Sequence, residues 1–324
     1  MEKLKLLSLY ADFRKDLDYI EKELERSVDS DSPIIRQASL HLLRAGGKRI
    51  RPIFVILASK FGDYSLKDVS KVAVSLELVH MASLVHDDVI DNSDMRRGLQ
   101  TVKAKWDNRI AMYTGDYIFS RALASISEIK MASVHHLLSK TMMEIVKGEI
   151  MQIEQQRKYD QTMRDYFRRI KRKTALLLSS SCELGALVSN ADPSIVRKMS
   201  RFGYFSGMSF QIIDDILDIT STDEELGKPA GSDLLNGHLT LPVLYIKNDI
   251  AFRPFMEKSF DGTLSDDERE EMLTYIRSSG AIEKAQAVST LYLQKALTEL
   301  DGLPESEAKK AFFQIAKFID KRDF

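Results

Sequence analysis

Two acidic clusters of identical form, Asp87-Asp88-Val89-Ile90-Asp91 and Asp214-Asp215-Ile216-Leu217-Asp218, carry the densest chemistry in this sequence. Each reads D-D-x-x-D within an apolar stretch of helical character. On an α-helix the first and last Asp are four apart and share a face. Carboxylates that close repel unless a cation lies between them. Donor sets made only of oxygen select hard ions, Mg²⁺ above all where a phosphate supplies further ligands. Two such faces turned toward each other would form a cage for several Mg²⁺ ions and a diphosphate. For either cluster alone, a capped or ion-paired helix surface is an equal reading. The repetition of the motif argues against coincidence.

Basic residues complement the acids. Lys48 and Arg51, in Gly46-Gly47-Lys48-Arg49-Ile50-Arg51-Pro52, are three apart and can converge on one anion, although a solvated helix start would also place them there. Arg96-Arg97 follows the first acidic cluster, and neighbouring guanidiniums can each bind a separate phosphate. Lys173-Thr174 closes a basic run that begins at Arg168, part of which suits a solvated face. Lys228 lies in a Gly/Pro-rich stretch. His80 precedes Asp87 by two helical turns; a lone helical His is ordinarily structural. His86 abuts the acids and could be an outer partner to them. Neither has the spacing of a zinc site. The pattern is one anion pocket reached through metal and another made of Lys, Arg and His, which points to two phosphorylated substrates. No Walker-type loop is present, so a nucleotide is not indicated.

These residues need elements to position them. Tyr10, Phe13, Leu17, Ile20 and Leu24 form one stripe of an opening helix. Ser32-Pro33 predicts an N-cap with Pro at the first helical position, and Gly46-Gly47 a helix end. Ser65 with Asp68 predicts a capping box that opens a long helix to Asp91. Further helices are predicted near 106–128, 133–158, 162–190, 194–221, 240–249, 266–279, 280–301 and 304–320. Ile53–Leu57 has strand composition, but no partner strand is evident, which favours helix. The stretch from Ser221 to Pro242 predicts a loop beside the second cluster. No Ser/Gly linker divides the 324 residues. The expectation is one all-α domain over 1–324.

Net charge is −1, from 47 basic and 48 acidic residues, which gives no general affinity for nucleic acid. Cys182 is the only cysteine and sits in an apolar run, which suits an inert buried thiol in a reducing cytoplasm. The N-terminus does not have the pattern of a secretory signal, and no uninterrupted apolar run predicts a transmembrane segment.

Taken together, GGKRIRP, LVHDDVIDNSDMRRG, KRKTA, GMSFQIIDDILD and LGKPAGSD occur in an order and spacing that resemble the trans-prenyl (polyprenyl) diphosphate synthases over nearly the whole chain. The resemblance implies a bundle of long helices around a central cavity, the isoprenoid synthase type of fold. It implies a Mg²⁺-dependent prenyltransferase that joins an allylic diphosphate head to tail with isopentenyl diphosphate, the allylic diphosphate ionising and a proton then being lost to the departed diphosphate. No nucleophile or general-base pair is then required. About three Mg²⁺ ions per site are implied. Asp87, Asp91, Asp214 and Asp218 match the metal ligands, and Lys173 joins Asp87, Asp91 and Asp214 as a catalytic residue. Arg96, Lys173, Thr174, Gln211 and Lys228 match the allylic diphosphate pocket. Lys48, Arg51, His80 and Arg97 match the isopentenyl diphosphate pocket, and Phe210 an aromatic near the isopentenyl group. Two departures stand out. Many relatives carry Lys where this chain has His238. Short-chain relatives have Gly-Gln-x-x-Asp where this chain has Gly148-Glu149-Ile150-Met151-Gln152.

Within the family the chain most resembles the catalytic component of two-component enzymes that make heptaprenyl diphosphate for the menaquinone side chain. The implied partner is a smaller, motif-poor component, in a heterodimer. A two-component hexaprenyl enzyme is similar, and a self-sufficient homodimer making hexaprenyl to octaprenyl chains is the alternative. A terpene cyclase would replace the second D-D-x-x-D, and a non-catalytic scaffold would erode the aspartates; neither has happened. Ala82 and Ser83, just upstream of Asp87, stand where short-chain enzymes often place an aromatic floor. Small side chains there leave the cavity open for roughly six to eight isoprene units. Alternatively, they only permit close helix packing, and Phe119 sets the limit deeper down.

Overall fold

The computed structural model describes residues 13–96, 98–227 and 229–320. Helix dominates, as the periodicity predicts. In chain order the helices are α1 Arg14–Ser27, α2 Pro33–Arg44, α3 Ile50–Ser59, α4 Leu66–Ile90, α5 Val102–Lys105, α6 Asn108–Ser127, α7 Ala132–Gln155 and α8 Met163–Ile170. A π-helical turn, π1 Lys171–Ala175, leads into α9 Leu176–Val188 and α10 Pro193–Thr220. The remainder are α11 Asp223–Leu226, α12 Ser232–Leu235, α13 Leu241–Ile246, α14 Arg253–Asp261, α15 Asp266–Ser278, α16 Ala281–Leu300 and α17 Glu307–Asp320. Among the described residues the only sheet is a small antiparallel hairpin, β1 Met95–Arg96 with β2 Leu99–Gln100, in which Met95 pairs with Gln100.

Local chemistry accounts for most boundaries. Ser32 is extended before Pro33 at N1 of α2, and Gly46 takes a positive φ of 77° just after it. Ile53–Leu57 is helical. The predicted capping box at Ser65 is not made: its hydroxyl donates to Asp68 Oδ2 at 3.0 Å and accepts no backbone N–H. Thr162 and Asp165 do form a reciprocal box at α8, as do Ser265 and Glu268 at α15. The helix predicted over 162–190 is interrupted by π1. Tyr10 of the opening stripe lies outside the described residues; Ile20 and Leu24 are buried on α1. Helix α14 was not predicted, although Pro254 at its start and Gly262 in the left-handed region at its end are its signals.

The residues fall into two compact units. The first comprises 1–142, 177–203 and 299–315; the second comprises 143–176, 204–298 and 316–324. In the first unit α4 packs along α6, with α3 and α1 also against it. Phe54, Phe202 and Phe312 pack together in its core, the last two with ring centroids 4.7 Å apart. Among the described residues α4 alone is long and apolar enough to cross a membrane by length and composition, which corrects the expectation that none would be. Most of its apolar length is buried inside the protein, and that burial explains its composition. In the second unit Tyr166, Ile170, Met208, Ile212, Phe252 and Met272 belong to one buried cluster.

Candidate active site

The first acidic cluster ends α4 in the first unit. Its three aspartates have different surroundings. Asp88 is 2% exposed, and its Oδ1 accepts from Arg96 Nε at 2.9 Å and Nη2 at 2.7 Å. Burial pushes the Asp88 carboxyl up, against the pull of Arg96. Asp87 is half-buried, and Asp91 is exposed at the helix C-terminus. The turn that follows is braced. Ser93 N–H donates to the Asp88 carbonyl, Thr101 Oγ1 to Ser93 O, and Lys103 to Asn92 Oδ1 and Asp94 Oδ1. Asn92 there takes a φ of 52°, which Asn tolerates better than most residues. Arg96 is thus held to α4 by a carboxylate within the motif itself. Arg97 lies outside the described residues.

His86 does not turn to the acids. Its ring lies against Gly115 on α6, where an added Cβ would come 2.3 Å from Nε2, and that nitrogen is 3.3 Å from Asp116 Oδ1. His80 is half-buried one stretch earlier on α4, and Ser83 donates to its carbonyl at 2.9 Å. Ala82 is fully buried, and Ser83 and Phe119 are half-buried.

In the Gly46–Pro52 segment the cation that organises the backbone is Arg49, which sequence reasoning passed over. It sits at a φ of 44°, ahead of α3. Its guanidinium donates to Glu21 at 2.5 Å, to Glu77 at 3.0 Å and to Leu43 O at 3.2 Å. Against burial, which alone would lower it, Glu21 and Glu77 raise the Arg49 guanidinium above its ordinary range. The segment is therefore tied to α1 and α4. Lys48 is exposed beside it, and Arg51 is half-buried in the first turn of α3.

The second cluster lies on α10 in the second unit; its middle aspartate is again buried, and here the last one is buried too. Asp215 is 3% exposed; it accepts from Tyr166 Oη at 2.7 Å and from Gln211 Nε2 at 2.8 Å. Burial and the nearby Asp233 push its carboxyl up to about 7, against those two hydrogen bonds. Asp214 is half-buried. Asp218 is buried and serves the following loop: Oδ1 accepts from Ser232 Oγ at 2.9 Å, Oδ2 from Asp233 N–H at 3.2 Å, and its carbonyl from Gly231 N–H. A carboxylate expected to hold metal thus also anchors α12. The stretch predicted as a loop, Ser221 to Pro242, contains α11 and α12, and its Lys228 lies outside the described residues.

Lys173 and Thr174 sit in π1. A π-turn shifts the register of the side chains around it and recurs at functional sites. Thr174 Oγ1 donates to Gln211 Oε1 at 2.6 Å, so Gln211 bridges Thr174 and Asp215. Lys173 Nζ lies 3.0 Å from Gln152 Oε1 and 3.4 Å from Glu149 Oε2. The segment that departs from the short-chain pattern therefore holds this lysine. His238 is largely buried; burial first, then Arg169, Lys173 and Arg157, push its imidazole down to about 4. It is neutral at pH 7. Phe210 is half-buried on α10. Tyr166 and Arg49 were not singled out by the sequence, because their roles come from partners distant along the chain.

Among the described residues no three His, Cys, Asp or Glu side chains converge into a self-contained metal site. A hard cation held by these aspartates takes its remaining ligands from water or from a bound phosphate, as Mg²⁺ does. The oxygen-only donor set fits that ion.

Residues 32–274 match the polyprenyl synthetase family. The chain is 51% identical over 321 residues to heptaprenyl diphosphate synthase component 2 of Bacillus subtilis, covering 99% of this chain and 92% of the relative. It is similar to the crystal structure of heptaprenyl diphosphate synthase from Staphylococcus aureus, with a TM-score of 0.91 and 44% identity over 96% of this chain and 99% of that one. It is also similar to a polyprenyl synthase from Caulobacter crescentus solved with calcium and isoprenyl diphosphate, with a TM-score of 0.93 and 28% identity over 98% of each chain.

Proposed function

The chain belongs to the polyprenyl synthetase family and is a prenyltransferase of all-α fold, and from that premise we propose that it makes heptaprenyl diphosphate by head-to-tail, all-trans condensation of isopentenyl diphosphate onto an allylic prenyl diphosphate. One observation supports the assignment of the site. In both clusters the middle aspartate is buried and hydrogen-bonded to the scaffold, Asp88 by Arg96 and Asp215 by Tyr166 and Gln211, while Asp87, Asp91 and Asp214 are more accessible and Asp218 is buried against α12. The reading treats 1–324 as one functional domain.

Polyprenyl synthases use Mg²⁺, and Asp87, Asp91 and Asp214 would hold it here, with Asp218 sharing its carboxylate with α12; about three ions per site are proposed. When bound, Mg²⁺ neutralises the diphosphate leaving group. Arg96, Lys173, Thr174, Gln211 and Lys228 bind the allylic diphosphate. Arg96 can do so while paired with Asp88, because a guanidinium has further N–H donors. Lys48, Arg51, His80 and Arg97 bind isopentenyl diphosphate and aim its double bond at the allylic carbon. The allylic C–O bond breaks to leave a carbocation, the isopentenyl double bond attacks it to form the C–C bond, and a proton of the isopentenyl unit is then lost to the departed diphosphate. Catalysis rests on placement and on charge stabilisation of the leaving group. Asp87→Ala and Asp214→Ala should each lower prenyl transfer by about a thousandfold or more with unchanged helical circular dichroism. Turnover within a few-fold of wild type would refute the assignment.

The proposed partner is a smaller component; the name of the Bacillus subtilis relative, component 2, implies only that that protein works with another component. On α7, within the second unit, Met143, Val146, Ile150 and Ile153 are each 51–55% exposed. They alternate at spacings of three and four, one apolar stripe of a helix. Exposed apolar stripes of this kind mark interaction surfaces, and we assign this one to the partner component. A cytoplasmic location is proposed with it, in keeping with the buried thiol of Cys182.

A further inference from the structure

At the end of α4 away from Asp87 the first unit has a cleft of about 430 Å³ between α1, α4 and α6. Its lining is unusually basic: Arg26, Lys67, Lys71 and Arg121 against two carboxylates, Glu23 and Glu128. Both acids are already engaged, Glu23 with Arg26 at 2.6 Å and Glu128 with Lys71 at 2.9 Å. That leaves two cations. Arg121 is half-buried, and its Nε donates to Ser27 O at 2.6 Å. This bond holds the guanidinium in place, while neither Arg121 nor Lys67 pairs with a carboxylate among the described residues. Lys67 stands in the first turn of the 25-residue α4, where the helix already presents positive charge. The same turn carries one acid, Asp68, whose carboxylate accepts from the Ser65 hydroxyl. Tyr117, whose hydroxyl donates to Asp29 O, and Arg121 together clamp the end of α1 onto α6, so the cleft has fixed walls.

We propose that this cleft binds a phosphate-bearing anion, with Arg121 and Lys67 as its ligands. The guanidinium supplies a planar pair of donors and the ammonium a point charge, the combination that suits a tetrahedral phosphate or a diphosphate. The site is separate from the first acidic cluster: Lys71 lies about 24 Å along α4 from Asp87. It does not depend on the prenyl-transfer reading. Two sources share the chemistry, a free anion such as inorganic diphosphate and a phospholipid headgroup.

The test uses the full chain in EDTA. Inorganic diphosphate is titrated calorimetrically into wild type, into Lys67→Ala/Arg121→Ala and into the charge-conserving Lys67→Arg/Arg121→Lys. Wild type and the conservative variant should bind one more equivalent than the alanine variant, in which that event weakens by about a hundredfold, as expected for two lost charge-assisted hydrogen bonds. In a separate assay with Mg²⁺ and the partner component present, prenyl transfer without added diphosphate should be equal in all three, which also shows that each is folded. In a parallel flotation assay with phosphatidylglycerol vesicles, loss of binding only in the alanine variant would identify the headgroup as a source. Binding of diphosphate without flotation would identify the free anion. Equal diphosphate stoichiometry in wild type and alanine variant, with equal flotation, would overturn the proposal.

Discussion

At the scale of single residues, the two D-D-x-x-D motifs are less uniform than their letters. The central aspartate of each is a structural group with a buried carboxylate, and the partners that make it so are Arg96 in one case and Tyr166 with Gln211 in the other. Tyr166→Phe would leave Asp215 Oδ2 without its donor. The variant should lose about 1–3 kcal/mol of stability in denaturant unfolding. It should also raise the KM for the allylic substrate more than that for isopentenyl diphosphate, because Gln211 and Thr174 are aligned through the same carboxylate. Equal changes in both KM values would remove the positioning role. His238 makes a prediction about acid. Its folded imidazole lies at about 4, below the ordinary His value of 6.5, so the unfolded chain binds the extra proton between those limits. Its contribution therefore favours the folded state fully above about 6.5 and is lost as pH falls toward 4. His238→Gln should flatten the decline of stability between pH 6.5 and 4 in urea titrations, and an unchanged slope would contradict this account.

At the scale of elements, π1 and α10 form the support for the second cluster. Gly207 on α10 lets the two approach: an added Cβ would lie 2.6 Å from Ala175 Cα. Gly207→Ala should cost about 1–3 kcal/mol by overpacking, read as a lower Tm, and should raise the KM for the allylic substrate by moving Lys173 and Thr174 away from Gln211. Wild-type values for both would mean that the backbone adjusts without moving π1. Most of the helices were legible in advance, though α14 was not. Pro33 and Gly46 bounded α2, and an apolar stripe marked α1. The π-turn was not, since Lys171–Ala175 has ordinary helical composition and its extra residue reflects packing against Gly207 and the neighbouring helix. The one-turn helices α11 and α12 were hidden in a Gly/Pro-rich stretch because Asp218 holds α12 through its side chain.

At the scale of the whole molecule, the exposed stripe on α7 ties activity to association. Met143→Glu/Ile150→Glu should abolish co-purification with the smaller component and, with it, formation of the long product, while leaving the unfolding transition of the isolated chain in place. Full heptaprenyl synthesis by the isolated wild-type chain would instead favour the self-sufficient enzyme, and a product of only three isoprene units would refute the open cavity inferred from Ala82 and Ser83. The sequence by itself determined the helical architecture, the two acidic motifs and the family resemblance, because helical periodicity, caps and motif spacing are local properties of a chain. Only the tertiary structure decided which aspartates are buried, Asp88 in the first motif and Asp215 with Asp218 in the second. It also decided that Arg49 rather than Lys48 braces the first basic segment, and that Glu149 and Gln152 hold Lys173. Each of those outcomes depends on burial and on a partner brought in by folding, 49 residues away for Tyr166 and Asp215, and neither burial nor such pairing is written in the spacing of neighbouring residues.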